Sequence, residues 1–190
     1  MKKHCIVLAL TLLVAGCALG PNKPDSDPAL PISGGGFGIA VGRMCRDHSI
    51  GPGITVRNLG TGQEYSYFGA VNFALRLPAG TYALLSIGRQ DGSQSSSDPF
   101  RFDVTTGTIR YIGTFLYPWG GRDCNRAVPR ILTKYYQHSY RGLLGNSYPP
   151  RVSGSLSRVS VVDEPDIPIR DFRERYSQHA NTTVETAIAY

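Results

Sequence analysis

From Phe37 to Tyr117 the chain is a series of short β-rich runs in which apolar and polar residues alternate with period two, each run ended by glycine, proline or asparagine. A strand places successive side chains on opposite faces, so this pattern demands sheets with one buried face and leaves little room for long helices. Ile54 and Val56 alternate with Thr55 and Arg57, then Asn58-Leu59-Gly60-Thr61-Gly62 turns the chain into Glu64 to Phe68. That reads as a hairpin. Val71, Phe73, Leu75 and Leu77 fall on one face with Asn72, Ala74 and Arg76 on the other, and Pro78-Ala79-Gly80 leads into Thr81 to Ile87, a second expected hairpin. Gly88 to Pro99 reads as a polar loop, and Phe100 to Val104, Thr106-Gly107 and Thr108 to Tyr117 as a third hairpin. Val152 to Val162 is a last strand. Asp166 to Tyr176 suits a short helix with Ile169, Phe172 and Tyr176 on one side.

The expected fold is therefore mainly β: an antiparallel β-sandwich of about eight short strands, a short C-terminal helix and a long inserted loop. With 190 residues, 41% of them hydrophobic, the chain suits one folded domain and excludes both wholesale disorder and a multi-span membrane protein.

The N-terminus is a processing signal. Met1-Lys2-Lys3 is basic, and Cys5 to Val14 is an apolar or small stretch of ten residues. A bilayer-spanning helix needs about 20 residues, whereas a secretory signal needs only about 7–15 apolar ones. Val14-Ala15-Gly16-Cys17 follows at once and resembles the bacterial lipobox. That resemblance implies cleavage before Cys17 by the lipoprotein signal peptidase, diacylation of its sulfur and acylation of the new N-terminus. Two or three acyl chains hold a protein stably where one does not. Ala18, with no aspartate in that place, resembles lipoproteins delivered to the outer membrane. An ordinary signal peptide cleaved near Ala18 is the alternative. Residues 1–16 are then the signal, 17–36 the lipidated cysteine and a flexible Pro/Gly-rich tether, 37–178 the sandwich and 179–190 a frayed tail.

Cleavage leaves Cys45 and Cys124 for the folded domain. In an oxidising compartment such a pair reads as a disulfide, with two unpaired thiols as the alternative. The turn Leu77-Pro78-Ala79-Gly80-Thr81-Tyr82 and the later run through Phe102, Val104, Gly107, Tyr111, Ile112 and Gly113 resemble small bacterial lipoproteins with a prealbumin-like sandwich. The resemblance implies the fold and brings no catalytic residue with it.

Common hydrolase, zincin and nucleotide-binding motifs do not occur in the sequence, and neither a cofactor nor a metal is expected. His48, three residues after Cys45, invites a Cys-His nucleophile, but a bridged Cys45 has no thiolate. His138 and His179 read as surface residues. Asp163, Glu164 and Asp166 stand where a helix start would be capped.

One segment does not fit a sandwich. Tyr117 to Arg151 is far longer than a β connection of about 2–5 residues. It carries Arg122, Arg126, Arg130, Lys134, Arg141 and Arg151 against Asp123, a net of +5, while the rest of the mature chain is close to neutral. It also holds Trp119, Tyr135 and Tyr136. Guanidinium forks and aromatic rings together suit phosphate- or carboxylate-bearing surfaces. Anionic lipid, lipopolysaccharide and peptidoglycan are the exported candidates; nucleic acid is not expected for a tethered exported domain, and no protein partner is indicated. The other reading is a loop that covers the sandwich. Residues 129–140 fit a helical face or a strand equally. The function expected is interaction or structure at the cell envelope, in an outer-membrane lipoprotein; the alternative is an envelope hydrolase or transferase with its site on sandwich loops.

Overall fold

The computed structural model describes residues 27–33, 35–45, 53–68, 71–89, 92–116, 132–140 and 156–190. They form a mainly β fold of eleven strands: β1 Phe37–Cys45, β2 Gly53–Asn58, β3 Glu64–Phe68, β4 Asn72–Pro78, β5 Gly80–Arg89, β6 Gly92–Ser95, β7 Arg101–Val104, β8 Ile109–Leu116, β9 Leu132–Tyr140, β10 Leu156–Val162 and β11 Val184–Thr186. One helix, α1 (Asp166–Arg175), and a 3-10 turn at Ser177–His179 lie near the C-terminus.

Two layers pack face to face. Strands β4, β1, β8 and β10 supply Phe73, Leu75, Leu77, Ala40, Met44, Ile112, Phe115, Val159 and Val161, and strands β2, β5 and β7 answer with Ile54, Val56, Tyr82, Leu84, Ile87, Phe102 and Val104. In β2, β4 and β7 these are the alternate residues that the period-two pattern assigns to one face, and in β5 and β8 a bulge shifts the alternation by one between Leu84 and Ile87 and between Ile112 and Phe115. Burying each large apolar side chain contributes about 1.5–3 kcal/mol, so this cluster is the main stabilising element.

Hydrogen bonding continues around one side of the sandwich, in the order β3-β2-β5-β6-β9-β10-β8-β1-β4. One edge of β5 is shared: Gly80 to Ala83 pair with β7, and Ser86 to Arg89 pair with β6. One edge of β8 is shared likewise, by β11 at Ile109 to Tyr111 and by β10 at Thr114 to Leu116. The layers are thus joined through β6 and β9 at one level. At the other they are joined through the C-terminal segment, where Ala189 N bonds Ile112 O and Arg101 and Tyr190 exchange backbone bonds of 2.8 and 3.0 Å. β3 and β4 are left as the two edges.

Several expectations need correction. The β2–β3 hairpin forms, with Gly62 at φ 73 as a bulge residue whose N–H bonds Asn58 O while Asn58 N bonds Gln63 O. The second and third expected hairpins do not form: β4 pairs with β1, β5 with β2, and β8 with β1 and β10. At Pro78-Ala79-Gly80 the chain steps from one layer to the other, with Gly80 at φ 154 and the Tyr82 hydroxyl donating to Pro78 O at 2.8 Å. β1–β8 and β8–β11 are parallel pairs in an otherwise antiparallel sheet. The expected polar loop at 88–99 contains β6, and the long segment at 117–151 contains β9, which resolves the helix-or-strand ambiguity at 132–140 as a strand.

The tail does not fray. β11 and the bonds of Tyr190 tie it into the sheet, and Ala189 is fully buried. His179 is not on the surface: its ring stacks on Phe172 at 5.9 Å and its Nε2 lies 3.0 Å from Pro28 O. The tether also gains structure before its expected end. Asp27 to Ile32 form a strap against α1 and β4, held by Gln178 Nε2 to Ala29 O, Arg76 Nη2 to Pro31 O, and Ile32 packed with Ile39, Val41, Ala74, Ile109 and Phe172. Asp163, Glu164 and Asp166 do not cap the helix: Pro165 occupies the N-cap position and no side chain bonds there. Asp166 in the first turn and Arg173 and Arg175 in the last still suit the helix dipole.

Candidate functional site: the upper end of the sandwich

The registers give the sandwich a polarity. β1 and β8 end together, Cys45 opposite Leu116, and β2 begins where β3 ends, Gly53 opposite Phe68. β4 begins there too, since Asn72 faces Arg43. The segments 46–52, 69–70 and 117–131 therefore leave from this upper end. Leu116 pairs with Ser160 and Ser160 with Thr133, so the chain leaving β8 re-enters beside it, one strand beyond β10. From Thr133, β9 runs on past the end of β8, paired with β10 up to Gln137 and with β6 up to Tyr140. The seven residues 134–140 make an overhang of about 23 Å at roughly 3.3 Å per residue. Residues 90–91 and 141–155 connect strands at its far end.

Of the expected site residues, Lys134, Tyr135 and Tyr136 lie at the root of this overhang, opposite Val159, Arg158 and Ser157. Lys134 is already engaged. Its ammonium donates to Asp98 Oδ2 at 2.6 Å and stands 6.0 Å over the Phe100 ring. That hydrogen bond, with the charge behind it, holds the Asp98 carboxyl below its ordinary pKa. Lys134 thus ties β9 to the segment before β7 and offers no spare charge to a ligand. Trp119, Arg122, Arg126, Arg130, Arg141, Cys17, His48 and Cys124 lie outside the described residues; His138 lies in β9, opposite Gln94. Cys45 is fully buried at the end of β1 and its sulfur is disulfide-bonded, so it carries no thiolate for a Cys-His nucleophile.

Sequence reasoning missed two features. Arg43 Nε and Asn72 Oδ1 are buried without a hydrogen-bond partner, although the two residues face each other across β1 and β4. A shallow groove of about 610 Å³ runs along α1, lined by Asp166, Ile169, Arg170, Arg173, Glu174 and Val184. Its two arginines and two acids balance. The first has no local signal, because its two residues come from strands 29 residues apart in sequence; the second lies along one helix and ends at Val184. Among the described residues no group of three or more His, Cys, Asp or Glu is placed to hold a metal ion, and no helix is long and apolar enough to cross a membrane.

No known protein family, curated protein or solved structure matches the chain. Function must be read from its own residues.

The decisive geometry is where the tether leaves. Arg175 donates to Asn72 O at the upper end of β4, and Asp27 lies close enough to the next residue, Tyr176, for its charge to raise that phenol's pKa, an effect added to the larger one of burial. From Asp27 the strap descends past Pro31, which accepts from Arg76, to Gly36, whose carbonyl bonds Ala79 N at the lower end. The described chain therefore begins, at Asp27, near the end of the sandwich where β8 finishes.

Proposed function

We propose that the protein is a lipid-anchored bacterial cell-envelope protein whose sandwich carries the basic, aromatic segment 117–151 against the anionic surface of the membrane that holds its anchor. The observation that supports this reading is the shared end: the tether emerges beside Tyr176, and residues 117–131 leave the upper end of the same sandwich. Only residues 18–26 separate Cys17 from Asp27. Nine flexible residues average about 15–18 Å end to end, and about 28 Å as a polyproline helix. Anchored at Cys17, the upper end stays within reach of the headgroups. Arg122, Arg126, Arg130, Arg141 and Arg151 would then meet lipid phosphates or the phosphates of lipopolysaccharide, and Trp119 the interfacial layer.

The test uses the mature chain, residues 17–190 with Cys17→Ser, so that neither the signal segment nor an acyl chain contributes, and vesicles of phosphatidylcholine with or without phosphatidylglycerol. Binding should require the anionic lipid and weaken as salt rises. Replacing Arg122, Arg126 and Arg130 with Ser should weaken it about a hundredfold, at roughly 1 kcal/mol per basic residue near the surface. Equal binding by the triple variant, or equal binding to neutral vesicles, contradicts the proposal. Unchanged circular dichroism shows that the variant still folds.

A further inference from the structure

Two arginines and an asparagine come together where α1 ends over the sheet. Ile39, Val41 and Arg43 alternate on one face of β1, and Asn72 and Ala74 share that face on β4. Ile39, Val41 and Ala74 pack with Phe172 of α1, so Arg43 and Asn72, which pair with each other, lie one step beyond this cluster. Arg175, in the last turn of α1, donates to Asn72 O at 2.8 Å and pairs with Asp171 one turn earlier. Tyr67 of β3 lies within charge-interaction range of Arg175 and Tyr176, so this cluster also closes the side of the sandwich where β3 and β4 are the edges. Arg43 is its unbalanced member. The side chain is half-buried, no acid among the described residues pairs with it, and its Nε is sealed from solvent without an acceptor. Asn72 Oδ1, on the residue directly opposite, is sealed without a donor. Burying a charged donor without an acceptor is costlier than burying a neutral one, and here two orphaned polar atoms stand on facing residues.

We infer that Arg43, Asn72 and Arg175 form a binding site for a phosphodiester group. Charge sets the class. Among the described residues Asp171 offsets Arg175 and no carboxylate offsets Arg43, which leaves one positive charge for a monoanion to neutralise. A phosphate monoester, with nearly two charges, exceeds it. Geometry separates the diester from a carboxylate. The donors belong to β1, β4 and α1 and approach from different sides, which suits the oxygens spread around a tetrahedral phosphorus better than two oxygens on one side of a plane. With its amide turned over, an assignment that the hydrogen bonding decides, Asn72 donates through Nδ2 beside Arg43 Nε, and both sealed groups gain an acceptor. The ligand enters as the Asn72 side chain rotates away from Nε. Phosphodiesters reach an envelope protein as lipid headgroups or as soluble glycerol diesters. The lipid source rests on the anchored reading above, because only residues 18–26 join Asp27, near Tyr176, to Cys17; the site itself does not rest on it.

The experiment is an NMR titration of the isotope-labelled mature chain, residues 17–190 with Cys17→Ser, with glycerophosphoglycerol, glycerol 3-phosphate or acetate. The diester should shift the Asn72 side-chain amide and the Nε–H signals of Arg43 and Arg175 saturably, and the other two probes should need higher concentrations. Arg43→Gln should weaken diester binding about tenfold or more, the loss of one charge-assisted contact. Asn72→Asp sets a carboxylate opposite Arg43 and supplies the missing anion from the chain itself. It should abolish binding while raising the urea midpoint of unfolding, a combination that general damage to the fold does not produce and that keeps the test decisive if Arg43→Gln misfolds. Vesicles of phosphatidylglycerol distinguish the source: Arg43→Gln should weaken binding to them if the diester is a headgroup, and leave it unchanged if the diester is soluble. The triple variant of Arg122, Arg126 and Arg130 keeps this site, so the two readings fail separately. No saturable shift at Asn72, an equal response to acetate, or diester binding unchanged in Arg43→Gln overturns the inference.

Discussion

Two tyrosines show how single hydroxyls hold the corners of this fold. The Tyr111 hydroxyl is buried; it accepts from Glu164 N at 2.9 Å and lies 2.9 Å from Thr114 Oγ1 and 3.3 Å from Val162 O, fixing the chain where it leaves β10 for α1. Tyr82 stacks on Phe102 and bonds Pro78 O at the step between layers. Tyr111→Phe should cost about 1–3 kcal/mol, measured by urea unfolding, because a backbone N–H stays buried without its acceptor. Tyr82→Phe leaves Pro78 O without a donor and the buried Asn58 amide without its acceptor, and should cost about as much. Burial pushes both phenols up to about 12, from 10.0. The unfolded chain releases these protons at the lower pH, so their contribution is complete below pH 10 and is lost as pH rises from 10 to 12. Absorbance titration at 295 nm should show Tyr82 and Tyr111, of the eleven tyrosines, ionising late and together with loss of structure, with Tyr65 and Tyr176, which burial also raises, above the ordinary range too. If all eleven ionise near pH 10 while the circular dichroism stays native, these two hydroxyls are not held as described.

At the scale of elements, the strap fixes where the chain from Asp27 joins the sandwich. Ile32 packs under α1 and Pro28 O meets His179. Ile32→Ala should cost about 2–5 kcal/mol if the site cannot collapse, and less if the strap detaches alone. Detachment is read by hydrogen exchange: amides of 29–33 should lose protection while those of β1 and β8 keep theirs. Equal protection in variant and wild type would mean that the strap is held by other contacts. The strap and the two missed layer steps have a common cause. Alternation names which residues face inward, and Phe73, Leu75, Leu77, Phe102 and Val104 all do. It does not say whether the next strand lies beside or across, because Pro-Ala-Gly serves a reversal within one sheet and a step between sheets equally well. Ala74 and Arg76, on the polar side of the pattern, are buried only because α1 and the strap cover that face. β6 and β11 are similarly silent in sequence: three or four residues have no period to detect, and although β6 pairs with adjacent β5, its pairing with β9 and that of β11 with β8 join strands far apart in the chain. Lys134 was legible as a charge and not as a partner of Asp98, 36 residues away.

For the whole molecule, two local signals and one long-range arrangement support each other. The apolar stretch ending in Val14-Ala15-Gly16-Cys17 proposes an anchor, the concentration of arginine in 117–151 proposes an anionic surface, and the fold brings the root of the tether and the root of that segment to one end. Without the anchor the basic segment is only a charged loop, so lipidation is the claim on which the account depends. The measurement that tests it most directly is the mass of the N-terminal peptide of the protein recovered from bacterial membranes. The account predicts that the peptide begins at Cys17 and carries a diacylglyceryl group with an N-acyl chain, and that Cys17→Ser leaves the precursor uncleaved at that bond. An unmodified peptide beginning at Ala18 or beyond, from a protein found in the soluble fraction, would contradict it.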